Sequence, residues 1–123
     1  MGKIKLKKGH FYKTREYTID RSYTIICPNK DIEVDHINEY KYIYIECFFV
    51  IRGSGKKSQL SYTREVNNRF WYPSAKLTNT SFSPIRTLTK RDYWRIERVL
   101  RQRHFIYNKK LCKLIEIKYN KKP

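Results

Sequence analysis

Residues 31–36, Asp-Ile-Glu-Val-Asp-His, hold the densest set of groups that could act on a substrate or an ion. Asp31, Glu33 and Asp35 recur at spacing two, so an extended backbone places all three carboxylates along one side. Three carboxylates can hold a hard cation. No glycine-centred loop supports that use, and in a chain of net charge +17 they are expected to pair with neighbouring Lys or Arg. His36 is the adjacent candidate base. His10 and His104 stand alone, without ligand spacing to a Cys or another His. Cys27, Cys47 and Cys112 lie far apart with no Cys-x-x-Cys pair. Each has apolar neighbours and reads as a small buried hydrophobe in a reducing compartment. The run from Arg52 through Gly53, Ser54 and Gly55 to Lys57 is basic and glycine-rich. It lacks the Walker spacing and a following helix, but as a hairpin tip it could touch phosphate.

The Asp35-His36-Ile37 step resembles the first half of an HNH nuclease signature, where it supplies a metal ligand and a general base. The resemblance covers about six residues, from Glu33 to Asn38. Its second half, a further His or Asn on a helix packed against a hairpin, has no counterpart. Residues 40–51 read as a strand, the next histidine is His104, and Asn67-Asn68 sit in a strand-like stretch. The expectation is a protein that is not an enzyme, with no catalytic residue, no metal site, no cofactor and no small-molecule substrate. A small HNH-like nuclease using Asp35 and His36 is the least favoured alternative.

Charge carries the stronger signal. The chain holds 28 basic and 11 acidic residues in 123. Self-repulsion of that size destabilises the compact state unless a polyanion takes it up. The first 15 residues carry Lys3, Lys5, Lys7, Lys8, Lys13 and Arg15 without an acid. Lys90, Arg91, Arg95, Arg98, Arg101 and Arg103 face only Asp92 and Glu97. Lys118, Lys121 and Lys122 close the chain. The polyanion-binding residues expected from these runs are Lys3, Lys5, Lys7, Lys8, Arg91, Arg95, Arg98 and Arg101. Tyr40, Tyr42 and Tyr44 could form a row on which bases stack, although a core role is favoured because the opposite face is also apolar.

The elements that must position these groups follow from hydrophobic period. Residues 16–27 alternate, with Tyr17, Ile19, Tyr23 and Ile25 on one face, and predict a half-buried strand that Pro28-Asn29 ends. Residues 40–51 are apolar on both faces, as a central strand covered on two sides would be. Residues 57–66 alternate again and complete a hairpin. Its register stays open: Phe48 or Phe49 falls opposite Leu60, depending on loop length. Residues 73–89 are rich in Ser, Thr and Pro and read as a long connecting loop. Thr89 with Asp92 makes a capping box, and Ile96 and Leu100 continue a helical stripe with Tyr93, so a helix spans about 90–103. Residues 104–117 could extend that helix or form a final strand.

The expected fold is therefore α+β: a small, mainly antiparallel sheet (hairpin about 40–66) packed by a C-terminal helix of about 90–103. Residues 1–15 are expected to be a basic N-terminal arm, 16–117 a single domain and 118–123 a basic tail. Both arms are expected to be held by partner chains, although the alternation Ile4-Lys5-Leu6-Lys7 also permits a terminal strand. There is no transmembrane run or secretory signal, and Leu6 stands where a myristoylation pattern needs Ser or Thr. Lys, Ile, Tyr, Asn and Phe supply 55 residues and Gly, Pro and Ala only 9, a codon bias suited to the A/T-rich genome of a phage, an organelle or an A/T-rich microbe. The expected function is a structural, non-enzymatic binding component of a large assembly, a virion before a ribonucleoprotein particle. Its partner is an acidic protein surface or nucleic acid, not a membrane. Its place is a virion or a reducing intracellular compartment, not the secreted fraction.

Overall fold

The computed structural model describes residues 3–15, 22–35, 42–54, 57–80, 83–111 and 113–117. The chain forms β1 (Ile4–Leu6), β2 (Tyr12–Arg15), β3 (Tyr23–Pro28), β4 (Ile32–Val34), β5 (Ile43–Ser54), β6 (Lys57–Tyr62), β7 (Arg64–Val66), β8 (Arg69–Trp71), β9 (Ser74–Leu77), β10 (Arg86–Thr87), α1 (Lys90–Gln102), β11 (Phe105–Asn108) and β12 (Lys113–Glu116). Strand accounts for 55% and helix for 13% of the described residues. The α+β expectation is thereby corrected: the described residues are mostly β, in several sheets with one helix. Short strands of three or four residues make up the difference, and such strands leave little periodicity in sequence.

The main sheet runs β10-β2-β3-β5-β6, with β9 paired to the first half of β5. β5 is its axis and is covered on both faces, as its doubly apolar sequence requires. One face buries Ile25, Cys27, Phe49 and Ile51 against Ile96, Val99 and Leu100 of α1. The other buries Ile26, Cys47 and Val50 against Leu6, Val34, Ala75, Leu77 and Ile85. The odd and even positions exchange faces at Phe48. Cys27 pairs with Phe49 but Pro28 pairs with Cys47, so Phe48 is the extra residue of a β-bulge. The bulge also accommodates Pro28, which has no amide proton for a regular ladder.

In the β5–β6 hairpin Leu60 lies opposite Ile51 and Ser54 opposite Lys57. Neither expected register holds, because both strands run further before residues 55–56 join them. The strand-like reading of Asn67-Asn68 is also corrected. Both have left-handed backbones, with φ of 53° and 63°, between β7 and β8. That is what a two-residue type I′ turn demands, and Asn tolerates it.

Residues 3–15 are not an arm. Leu6 is buried, β1 pairs with β4, and β2 lies inside the main sheet. Ile4 and Leu6 pack on the second core face, which binds this segment to its own chain. The long loop at 73–89 likewise contains β9 and β10. Asn79 fastens the stretch between them: its Nδ2 donates to the Asp35 carbonyl at 3.1 Å and its Oδ1 accepts from the Ile85 amide at 3.2 Å. The tail at 118–123 and residues 16–21 and 36–41, including Tyr40 and His36, lie outside the described residues.

The helix begins as its sequence indicates. Thr89 Oγ1 accepts from the Asp92 amide, and Asp92 Oδ2 accepts from the Thr89 amide at 2.9 Å. It ends at His104, whose φ is 63°. Residues 105–116 then form the β11–β12 hairpin, with Ile106 opposite Ile115. This decides between the two expected continuations in favour of a strand. Tyr107 in β11 packs edge-on against Phe11 and Phe49, with ring centres 5.0 and 5.5 Å apart.

Candidate polyanion-binding surface

The helix is held in place by a buried ion pair. Lys13 Nζ lies 2.6 Å from Asp92 Oδ2, with side chains 7% and 2% exposed. Burial alone pushes the Asp92 carboxyl up. Hydrogen bonds from Lys13 and from the Thr89 amide and hydroxyl outweigh that effect and leave it below its ordinary value. Arg95 is drawn into the same cluster. Its guanidinium sits 3.7 Å from Asp92 Oδ1 and 4.5 Å from the centre of the Tyr23 ring. Expected on the outer helix face, Arg95 is instead half-buried and committed to these contacts.

What faces outward is a stripe at spacing three, four, three: Arg91, Trp94, Arg98 and Arg101. All four are exposed, and Trp94 is 70% exposed. Arg91, Arg98 and Arg101 make no ion pair among the described residues. The stripe lies opposite Ile96, Val99 and Leu100, so the packing that buries the helix also presents these cations. Trp94 is not among the residues expected from charge. Its helical spacing from the three arginines is the signal that points to it.

The N-terminal lysines divide. Lys5 lies directly across the β1–β4 ladder from Glu33 and 3.9 Å from its carboxylate. Lys3 reaches Glu33 at 4.0 Å and Asp35 at 3.8 Å. These pairs are exposed and contribute little stability, but they place the acidic segment against the basic one and neutralise both. The expectation that Asp31, Glu33 and Asp35 pair with basic neighbours is met in Glu33 and Asp35. Asp31 instead accepts from the Lys8 amide at 2.8 Å. Lys7 and Lys8 are exposed and outside these pairs, and Lys8 Nζ lies 5.9 Å from the Phe48 ring centre.

Two further places combine exposed aromatics with cations. The β7–β8 ribbon is exposed along both strands and carries Arg64, Arg69, Phe70 and Trp71. Tyr42, just before β5, and Tyr44 on it are exposed, which corrects their expected core role, and Lys76 Nζ stands 4.2 Å from the Tyr42 ring centre.

Among the described residues no group of three His, Cys, Asp or Glu could hold a metal ion. Cys27 and Cys47 are buried, in keeping with their apolar neighbours. Burial pushes the Cys47 thiol up to about 12, so it stays protonated, with its Sγ donating to the Ile45 carbonyl at 3.2 Å. Cys112 lies outside the described residues. Among those residues no helix is long and apolar enough to cross a membrane. Comparison with family models, curated proteins and solved structures finds no match for this chain.

Proposed function

We propose that this protein is a non-enzymatic, nucleic-acid-binding structural component of a large nucleoprotein assembly, a virion in the setting that its A/T-rich composition favours. The observation that carries the reading is the Arg91–Trp94–Arg98–Arg101 stripe. Arginines alone would suit an acidic protein lattice as well as a phosphate backbone. An exposed indole among them favours nucleic acid, since every base offers a face to stack on, while the guanidinium groups take the flanking phosphates. The Arg69-Phe70-Trp71 run repeats the combination on a second element. Contacts of this kind are tolerant of sequence and dominated by phosphate. The non-enzymatic half of the reading rests on the incomplete motif: the Asp35-His36-Ile37 step has no second His or Asn half in the sequence.

The test is Trp94→Ala, a substitution at an exposed position. It should reduce affinity for a single-stranded oligonucleotide by about tenfold or more, and indole fluorescence of the wild-type protein should be quenched on binding. Unchanged affinity in the variant would remove Trp94 from the interface and return the arginine stripe to an acidic protein partner.

A further inference from the structure

The row Thr24–Arg52–Gln59 crosses β3, β5 and β6 at neighbouring positions. It belongs to the face that carries Ile26 and Val50, whereas α1 packs on the face of Ile25 and Ile51. At that end of the sheet the residues stop being apolar. Arg52, Lys57 and Lys76 line an open concavity of about 420 Å³ together with Ser58, Gln59 and Thr24; Tyr23, from the helix-packed face, also lines it, so it wraps the end of the sheet, and among the described residues no acidic one lines it. Arg52 is oriented by a 3.2 Å hydrogen bond to the Ser74 carbonyl. Lys76 lies beside the Tyr42 ring, and exposed Tyr44 stands opposite it across the β5–β9 ladder. Cations, hydroxyl and amide donors and two exposed rings are the groups that a phosphate-linked chain of bases needs.

We propose that this concavity is a second nucleic-acid phosphate site, at the end of the sheet and built from residues other than the helix stripe, so that one copy of the protein bridges two strands. The inference rests on the nucleic-acid reading of the helix stripe and extends it. A protein with one basic face coats a strand. A protein with two separate basic sites cross-links strands and compacts them, which is what packing a polyanion into a particle requires. A strand bound there would also neutralise part of the +17 charge that a strand on the helix alone leaves unpaired.

The experiment uses the full chain and short oligo(dT), which does not pair with itself. One oligonucleotide is immobilised, and capture of a second, fluorescent one is measured as protein is added. The wild type should capture it. K57E/K76E changes two exposed lysines and should cut capture at least tenfold, while affinity for a single strand stays within about threefold. That retained affinity also reports that the variant is folded. R91Q/R98Q/R101Q should lose capture too, through the other site. Capture by K57E/K76E equal to wild type would overturn the bridge. So would binding of one strand by the wild type without capture of a second, leaving the helix site standing. Absence of any oligo(dT) binding by the wild type would overturn both readings. Polyglutamate bound in preference to oligo(dT), and released in K57E/K76E, would assign the concavity to an acidic protein and overturn the proposal.

Discussion

Lys13 and Asp92, 79 residues apart in sequence, share a buried ion pair 2.6 Å long that joins β2 to the first turn of α1. Asp92 also closes the capping box, so one carboxylate both starts the helix and docks it. The arginine stripe faces outward because this contact fixes the rotation of the helix. Lys13→Met would leave Asp92 buried without its strongest partner. We expect a loss of about 3–5 kcal/mol, measured by chemical denaturation. A variant as stable as the wild type would mean that the pair does not dock the helix.

The same pair sets an acid response. Asp92 titrates below its ordinary value of 3.8 in the folded protein. Its contribution is therefore complete above that value and is lost as pH falls through the lower folded one. Asp92→Asn should be less stable than wild type by a constant margin from neutral pH down to about 4. The margin should shrink at more acid pH. A margin that widens under acid would contradict the ion-pair account.

Gly53 stands opposite Tyr23, and a Cβ at Gly53 would collide with the Tyr23 ring. The ring in turn carries the Arg95 guanidinium. Gly53→Ala should cost about 1–3 kcal/mol through overpacking and disturb Arg95. Thermal melts will check this, and an unchanged melting temperature would place the ring elsewhere.

Catalysis is expected to be absent. Purified protein with Mg²⁺ or Mn²⁺ should leave DNA and RNA intact over hours. Cleavage that disappears in His36→Ala would revive the nuclease-like reading of Asp35-His36.

The parts of this fold that are legible in sequence are those decided locally or by strong burial. The Thr89–Asp92 capping box spans four residues, and β5 is apolar on both faces, so each is evident. β1 and β9 are not. Each offers only two inward apolar residues, Ile4 with Leu6 and Ala75 with Leu77, among lysines, serines and threonines. The bulge at Phe48 and the hairpin register depend on pairing with β3 and β6, which lies beyond local pattern. Within the candidate site, Arg91, Arg98 and Arg101 are expected from charge and are exposed. Arg95 departs from its expected place because Asp92 and Tyr23 compete for it. Lys3 and Lys5, expected to meet a partner, meet Glu33 and Asp35 of their own chain.

The most direct test of the central claim is the salt dependence of nucleic-acid binding by wild type and R91Q/R98Q/R101Q. Wild type should bind unrelated sequences alike, with affinity falling steeply as salt rises. The variant should bind all of them more weakly. Its slope of log K against log salt should be shallower by roughly 0.7 for each single-strand phosphate that an arginine no longer neutralises. No binding by wild type at low salt, or an identical slope in the variant, would contradict the assignment of the helix stripe to nucleic acid.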